Sequence, residues 1–290
     1  MVLIVSAVTF GLLNLAGGDA LTALRDNPQI SEQTIENLRR VYGLDKPLPA
    51  RYFTWLGRAV TGDLGDSMYF SVPVSSLIRA RFASTFILGV AALGIAILVS
   101  FGLSVAAARY RSRGLGRVID AVVFATASTP RIVLALVALA VIAQNTPAGV
   151  GAPSMLSFWF AAFALSAPIM SIFLAQFHGE LSQTMNEDFI QLARAKGLSE
   201  RVIVARHAIR PALGPVLTVF GLSLGGVLGG SVIVESVLGR DGLGTLMVAA
   251  VRSRDIPLVM GIALVTSAAV WLGNTLAEML QAMNDKRLRR

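Results

Sequence analysis

The sequence of 290 residues contains no cysteine, only two histidines and few charged residues. Without cysteine the chain can form neither a disulfide nor a metal site built on thiolates. The two histidines, His178 and His207, are too few for a histidine-rich metal cluster. We therefore expect this chain to bind no metal ion and no cofactor of its own.

Charged residues make up 14% of the chain, whereas an average soluble domain has about 25%. Hydrophobic residues make up 54%, and the mean hydropathy is +0.68. This shortage of charge indicates a membrane protein. The net charge of +8 would favour nucleic-acid binding in a soluble protein, but the basic residues here stand in short blocks between apolar runs. We expect contact with membrane lipid and no contact with nucleic acid.

Long apolar runs predict helices that cross a membrane, each of which needs about 20 residues. The runs cover residues 1–16, 82–108, 118–143, 155–177, 213–234 and 256–280. The expected fold is an all-α membrane protein, a six-span polytopic helical bundle. The first run is short and no basic residue precedes it, so we interpret it as a span whose start is truncated or wrongly assigned. A cleaved signal peptide is the alternative, although the basic n-region and the cleavage site are absent.

The distribution of basic residues predicts the orientation of these spans. Four such residues lie in the loop between spans 2 and 3, five between spans 4 and 5, and four in the tail 281–290: Arg109, Arg111, Arg113, Arg117, Arg194, Lys196, Arg201, Arg206, Arg210, Lys286, Arg287, Arg289 and Arg290. The connection 144–154 has none. Both termini are therefore expected in the cytoplasm. The chain divides into the first span, an extracytoplasmic loop 17–81, and a core 82–290 with five spans.

Two short helices are expected in the extracytoplasmic loop. Ser31 can cap the first, Glu32 favours its first turn, and Gly43 can end it. The second covers residues 51–60 and precedes the sequence TGDLGDS. The simplest interpretation is a small folded cap outside the membrane.

This loop resembles the outer segment of ABC-importer permeases of the dipeptide, oligopeptide and nickel class. In that family a helix leads into G-L-D-x-P, then an aromatic-rich helix, then G-D-L-G-x-S. The stretch SEQTIENLRRVYGLDKPLPARYFTWLGRAVTGDLGDS follows this order. The matching residues are Gly43, Leu44, Asp45, Pro47, Gly62, Asp63, Leu64, Gly65 and Ser67.

The loop between spans 4 and 5, about residues 179–212, contains a helical pattern followed by a corner. Apolar and small residues recur at helical spacing, Gly197 permits an unusual backbone angle, and Ser199 can cap a second short helix. A rigid, angled segment of this kind suits docking into a groove of a partner. An amphipathic helix lying on the inner leaflet is the alternative. The expected docking residues are Phe189, Leu192, Ala193, Lys196, Gly197, Leu198 and Ser199.

The same loop resembles the E-A-A-x3-G cytoplasmic loop of ABC-importer permeases. Ala193 and Gly197 keep their places, whereas Gln191 and Leu192 replace the Glu and the first Ala. The segment between the last two spans also follows the family pattern, except that Asp241 stands where a proline is usual. Its matching residues are Glu235, Gly239, Gly242, Leu243, Gly244, Arg254, Asp255 and Pro257.

The resemblance implies a transport subunit that works with several partners. These are a homologous second permease, two cytoplasmic ATPase subunits that use ATP and Mg²⁺, and an extracytoplasmic substrate-binding protein. The permease would lie in the cytoplasmic (inner) membrane of a bacterium, form half of a translocation pathway, and couple to the ATPases through residues 188–213. Peptides, or a related small solute such as a nickel complex, are the substrates that the family implies.

Two features inside the predicted spans invite separate interpretation. Arg131 follows Pro130 in an apolar run, where a charge is unfavourable by about 2.5–3.5 kcal/mol. We expect Arg131, together with Pro130, to line the translocation path, where Arg131 would meet a substrate carboxylate or a backbone carbonyl. A structural ion pair or snorkelling is the alternative. Pro130 frees a backbone carbonyl there, which Ser128 or Thr129 could satisfy. The second feature is a series of glycines, expected in helix packing within this chain or against a second permease: Gly221, Gly225, Gly226, Gly229 and Gly230.

Other functions fit the sequence less well. The glycine-rich stretch is not a nucleotide-binding loop, because no Gly-Lys-Ser/Thr follows. An ion-coupled secondary transporter or channel subunit would favour acidic residues in the middle of spans and an inverted repeat, and neither is found. An intramembrane enzyme would need catalytic side chains in the spans, and we identify none.

Overall fold

The computed structural model describes residues 1–15, 21, 31–41, 43–111, 113–145 and 155–284. Within these ranges the regular secondary structure is helical, apart from one isolated bridge between Asp66 and Pro73. In chain order the elements are α1 (Val2–Leu15), α2 (Glu32–Val41), α3 (Leu48–Val60), α4 (Val74–Tyr110), α5 (Arg113–Ser128), α6 (Arg131–Asn145), α7 (Met155–Thr184), α8 (Asp188–Ala195), α9 (Glu200–Val202), a π-helical segment (Ile203–Ala208), α10 (Ile209–Leu238), α11 (Leu243–Arg252) and α12 (Ile256–Asn284). The predicted connection 144–154 and tail 281–290 lie mostly outside the described residues.

Four stretches are long and apolar enough to cross a membrane: α4, α7, the continuous helical stretch Glu200–Leu238 that includes α10, and α12. The pair α5 and α6 makes a fifth if it is counted as one span. Helix α1 has 14 residues and is about 21 Å long, less than the roughly 30 Å of a hydrocarbon core. The helical membrane architecture is confirmed, and the six-span arrangement stays a prediction.

The predicted third span, residues 118–143, is not one straight helix. It consists of α5 and α6, which are bent by 95° at Thr129 and Pro130. Proline has no backbone N–H and disfavours helical geometry in the residue before it, so the helix ends there. The hydroxyl of Thr129 donates to the carbonyl oxygen of Ala125 at 2.7 Å, which satisfies one of the acceptors at the end of α5.

Two other helices extend beyond the boundaries predicted for their spans. Helix α4 begins at Val74 rather than at 82, and α7 continues to Thr184, so the loop expected from about 179 begins inside that helix. Arginine and polar residues occupy these extra turns. The apolar run marks the part of each helix that suits lipid, but the helix itself continues as long as backbone hydrogen bonding does.

The described residues form two compact units, and the first comprises Met1–Thr85 and Asp241–Trp271. Its core contains Leu64, Val74 and Ile78 of one segment with Leu246 and Leu258 of the other. Both short helices predicted for residues 17–81 are present as α2 and α3. Gly43 follows α2 with φ +62°, a left-handed angle that suits glycine and explains why the helix ends there.

The TGDLGDS turn of the first unit is organised by Asp63. Its carboxylate accepts the backbone N–H of Gly65 at 2.9 Å and pairs with Arg58 at 2.7 Å. The Gly65 hydrogen bond and the Arg58 guanidinium lower the pKa of Asp63. Gly62 and Gly65 have φ of +85° and +81°, so both positions of the turn require glycine.

The second unit comprises Phe86–Arg240 and Leu272–Arg290. Helix α7 packs against α5, α6 and α10, and its side chains Leu165, Leu174 and Leu181 are fully buried. The main core of the unit collects residues of α4, α6, α7 and α10. This unit holds both candidate sites that follow.

Candidate functional site

The loop after α7 is a folded segment, as predicted, with two short helices and a corner. Helix α8 ends at Ala195, Gly197 has φ +78°, and α9 begins at Glu200. The positive φ confirms the unusual backbone angle expected at Gly197 and makes any other residue there strained. Ser199 occupies the N-cap position of α9, but its side chain makes no capping hydrogen bond. The capping predicted for Ser199 is therefore wrong.

One face of the loop packs against the ends of the adjoining helices. Ile190 and Ala193 of α8 and Ile203 of the π-helical segment are buried together with Phe177 and Leu181 of α7. We expected Ala193 on the exposed docking face, and that placement is wrong, because Ala193 is only 7% exposed. This burial packs the loop against the ends of α7 and α10.

The opposite face of the loop exposes apolar side chains. Phe189 is 45% exposed, Leu192 is 57% exposed and Leu198 is 40% exposed. Phe189 and Leu192 are three residues apart on α8 and so share one face, and Lys196 is exposed at the end of the same helix. We name Phe189, Leu192 and Leu198 the exposed loop face. Apolar side chains clustered on a polar loop are typical of a protein-interaction surface.

An ion pair closes the corner between α8 and α9. Arg194 Nε donates to Glu200 Oε1 at 2.7 Å, and Arg194 Nη2 donates to Oε2 at 3.4 Å. Arg194 Nη1 also donates to the carbonyl oxygen of Met185 at 3.4 Å. Sequence reasoning missed this contact, although opposite charges on either side of Gly197 were a signal that could have indicated it.

A π-helical segment, Ile203–Ala208, connects the loop to α10. In a π-helix each hydrogen bond reaches five residues along the chain, one residue more than in an α-helix, and such turns are frequent at functional sites. Ile203, Val204 and Ala208 are buried, while Ala205 and Arg206 are exposed. No sequence pattern that we recognise signals this turn.

Arg131 lies against the glycine series of α10. Its Nη1 donates to the carbonyl oxygen of Gly226 at 3.3 Å, and a Cβ atom added to Gly230 would lie 2.6 Å from its Cζ. The two features that the sequence analysis treated separately therefore form one site, in which glycine makes room for the guanidinium. Pro130 places Arg131 at the first residue of α6. Arg131 Nε is buried and has no hydrogen-bond partner among the described residues.

The remaining glycines of the series differ in how closely other residues pack against them. A Cβ on Gly221 would lie 2.9 Å from Ala277 Cβ of α12, so Gly221 packs closely within this chain as expected. Gly226 and Gly229 have no such neighbour within 4 Å among the described residues, so close packing is not found there for either, and packing against a second permease stays a prediction. Gly225 is half-buried in α10.

In the first unit, a buried carboxylate joins two segments that the sequence analysis matched separately. Asp255 accepts the hydroxyl of Ser67 at 2.5 Å and the backbone N–H of Tyr69 at 3.0 Å through Oδ2. Its Oδ1 accepts the backbone N–H of Leu258 at 3.1 Å, which caps the first turn of α12. Ser67 and Asp255 were each matched to a family pattern, but the contact between them was not predicted.

Comparison with known proteins identifies the family. A model described as "Binding-protein-dependent transport system inner membrane component" matches residues 99–290. A protein of Brucella suis biovar 1 (strain 1330), provisionally named a peptide permease, is 33% identical over 303 residues, which cover 100% of this chain and 95% of the relative. The oligopeptide transport system permease protein AppB of Bacillus subtilis (strain 168) is 30% identical, with 98% and 94% covered. The glutathione transport system permease protein GsiC of Pectobacterium atrosepticum is 32% identical, with 99% and 94% covered.

Several apolar helices and a folded, partly exposed loop define a helical, multi-pass membrane transport component. The chain belongs to the family of inner membrane components of binding-protein-dependent transport systems, the permease subunits of ABC importers. As such it is a transport subunit and not an ATPase.

Proposed function

We propose that this chain forms half of the translocation pathway of an ATP-driven importer for peptides. The named activities of the relatives, peptide, oligopeptide and glutathione transport, support a peptide substrate. In this proposal the chain has six spans, with α1 as the first, residues 17–81 outside the membrane, and both termini in the cytoplasm. A second permease completes the pathway, and a substrate-binding protein delivers the peptide.

The observation that carries the coupling proposal is the exposed loop face on a loop that is itself packed against two helices. Two cytoplasmic ATPase subunits would bind Mg²⁺ and ATP, and one would dock on Phe189, Leu192 and Leu198. Closure of the ATPases would move the loop as a body, and α10 would move with it because the chain is continuous through the π-helical segment. The loop thus shifts the population between inward-facing and outward-facing states.

Arg131 is the residue that we assign to the translocation path. Its Nε lacks a partner among the described residues, and it lies where α5 and α6 meet at a bend. A guanidinium in a low-dielectric path can bind the carboxylate of a peptide in two parallel hydrogen bonds. The open faces of Gly226 and Gly229 suit close contact with the second permease.

The test compares two variants of the same helix that introduce the same residue. Leu192→Glu places a charge in the exposed loop face, whereas Gln191→Glu, at an exposed neighbouring position, adds the same charge beside it. The full complex is reconstituted in proteoliposomes, and ATP-driven peptide uptake and ATPase recovery on purification are measured. We expect Leu192→Glu to lower both by about 10-fold or more and Gln191→Glu to leave both near wild type.

Two outcomes would contradict the proposal. The docking assignment is wrong if Leu192→Glu transports at the wild-type rate. The importer function itself is wrong if uptake is indifferent to ATP and collapses when an uncoupler removes the ion gradient.

A further inference from the structure

A basic cavity of about 210 Å³ lies within the first unit, between α2, α3 and the beginning of α12. Its lining includes four basic side chains, Arg40, Lys46, Arg51 and Arg58, and no acidic side chain among the described residues belongs to it. Four like charges around one small volume repel one another, and an anion that enters would relieve this repulsion. The charge pattern therefore indicates an anionic ligand.

The basic side chains of the cavity differ in how they are engaged. Arg58 pairs with Asp63, and Arg51 lies over the ring of Phe10 with its Cζ 5.9 Å from the ring centroid. Arg40 and Lys46 are exposed and have no acidic partner within the part of the chain that the structure describes. These two cations are therefore available to a ligand.

Trp55 adds a neutral donor to the cavity. Its indole Nε1 is shielded from solvent and has no hydrogen-bond partner among the described residues. A buried donor without an acceptor is unfavourable by about 1–3 kcal/mol. An oxygen-rich anion in the cavity would supply the missing acceptor.

The cavity lining also includes apolar side chains at the beginning of a candidate span and on α1. These are Ile256 and Met260 of the first turns of α12 and Phe10 of α1. Helix α12 has 29 residues and a length of about 43 Å, which equals the thickness of a bilayer with both headgroup regions. If α12 crosses the bilayer along its whole length, its first turn would lie at the level of the lipid headgroups, where tryptophan and tyrosine side chains are enriched.

The size of the cavity limits the ligand. Sites that enclose a drug-sized molecule have volumes of about 300–1,000 Å³, so a cavity of about 210 Å³ suits a compact group rather than a whole peptide. A compact anionic group attached to an apolar body would suit both the basic and the apolar side chains of the lining.

We propose that this cavity binds the phosphodiester headgroup of an anionic phospholipid, with the phosphate oxygens on Arg40, Lys46 and the Trp55 indole. The lipid body would continue past Phe10 and Met260 into the bilayer. The site would fix the outer segment of the permease to the membrane beside the beginning of the last span.

Lipid retention on the purified complex tests this directly. The complex is exchanged into a zwitterionic detergent, phosphatidylglycerol is added, and native mass spectrometry measures bound lipid for the wild type and for Arg40→Gln/Lys46→Gln. A basic residue near a lipid headgroup contributes about a five-fold change in affinity, so the double variant should bind phosphatidylglycerol roughly 30-fold more weakly. Arg39→Gln removes the neighbouring exposed charge of α2, which does not line the cavity, and should bind like the wild type.

Further binding measurements distinguish a lipid headgroup from free phosphate, and a lipid from a protein ligand. Phosphatidylcholine should bind weakly to all variants, and inorganic phosphate should not displace phosphatidylglycerol from the wild type at equal concentration. The proposal is overturned if the double variant retains phosphatidylglycerol like Arg39→Gln, or if inorganic phosphate displaces the lipid. It is also overturned if the double variant loses the substrate-binding protein and keeps the lipid, because the cavity would then serve a protein. Trp55→Phe keeps an aromatic side chain but removes the indole N–H donor. Unlike the double variant it changes no charge, and it should also weaken lipid binding.

Discussion

At the scale of single residues, the fit between Arg131 and α10 depends on the absence of a side chain at Gly230. Gly230→Ala would push a methyl group into the guanidinium, whose Cζ lies 2.6 Å from that position. Overpacking of this kind destabilises by about 1–3 kcal/mol. We expect a lower temperature of thermal unfolding for the detergent-solubilised protein.

Gly102 of α4 is the control for that substitution, since it is exposed, its Cβ position is open and no contact is assigned to it. Gly102→Ala should not lower the unfolding temperature. Adding Arg131→Ala to Gly230→Ala should restore part of the lost stability, because the colliding group is gone. Equal effects of both alanine substitutions would show that the Arg131 guanidinium does not fill the space beside Gly230.

Asp255 permits a second prediction at this scale. Its carboxylate is fully buried and accepts three hydrogen bonds. Asp255→Ala leaves these donors without an acceptor and should destabilise the protein by about 2–3 kcal/mol. Asp66, an exposed acid next to Ser67 in the chain, gives the control: Asp66→Ala should change the unfolding temperature little, and a comparable loss there would contradict the role assigned to Asp255.

Single residues also show where sequence reasoning stops. The positive φ of Gly197 could be predicted, because glycine at the end of a helical pattern has a local meaning. The burial of Ala193 could not, because Phe189 and Leu192 lie on one side of α8 and Ile190 and Ala193 on the other, and only the packing against α7 decides which side is inside. The Asp255–Ser67 hydrogen bond joins residues 188 positions apart, which no local pattern reveals.

At the scale of elements, the corner between α8 and α9 is held by Arg194 and Glu200 as well as by backbone. Because both side chains are partly exposed, at 21% and 31%, the pair should stabilise by only about 0.5–1 kcal/mol. Arg194→Ala and Glu200→Ala are each expected to lower the coupling between ATP hydrolysis and uptake more than they lower stability, because the corner loses its fixed angle.

A double-mutant cycle measures this contact. The coupling energy between Arg194→Ala and Glu200→Ala is read from thermal unfolding, and the ratio of peptide imported to ATP hydrolysed is read from proteoliposomes. Purely additive effects on both quantities would contradict the role of the ion pair.

Elements were predicted well where their pattern is local and poorly where a single residue interrupts it. The helices α2 and α3 and four long apolar helices agree with the predicted positions. The expected span 118–143 breaks at Pro130 because the apolar run continues on both sides, so that composition conceals a change in backbone direction. The π-helical segment differs from an α-helix by its hydrogen-bond register, which residue types do not encode.

At the scale of the whole molecule, the absence of cysteine allows the proposed topology to be tested with single cysteines. Ala205→Cys in the loop and Thr61→Cys after α3 are both at exposed positions. In intact cells a membrane-impermeant thiol reagent should label Thr61→Cys and not Ala205→Cys, and inside-out vesicles should give the reverse.

The number of spans follows from the same approach. A cysteine in a tag before Met1 should label like Ala205→Cys if α1 crosses the membrane. Labelling like Thr61→Cys would instead show that α1 does not cross, and the chain would then have five spans.

The π-helical segment sets the rotation of the loop relative to α10 about the helix axis. Over the same residues, rewinding Ile203–Ala208 as an α-helix would shift the register by one residue and rotate α8 and α9 relative to α10 by about 100° about the helix axis. Such a rotation would also pull Ile203, Val204 and Ala208 out of the core that they share with α7. The π-helical turn therefore sets the direction in which Phe189, Leu192 and Leu198 face relative to α10, the helix whose Gly226 carbonyl oxygen accepts a hydrogen bond from Arg131.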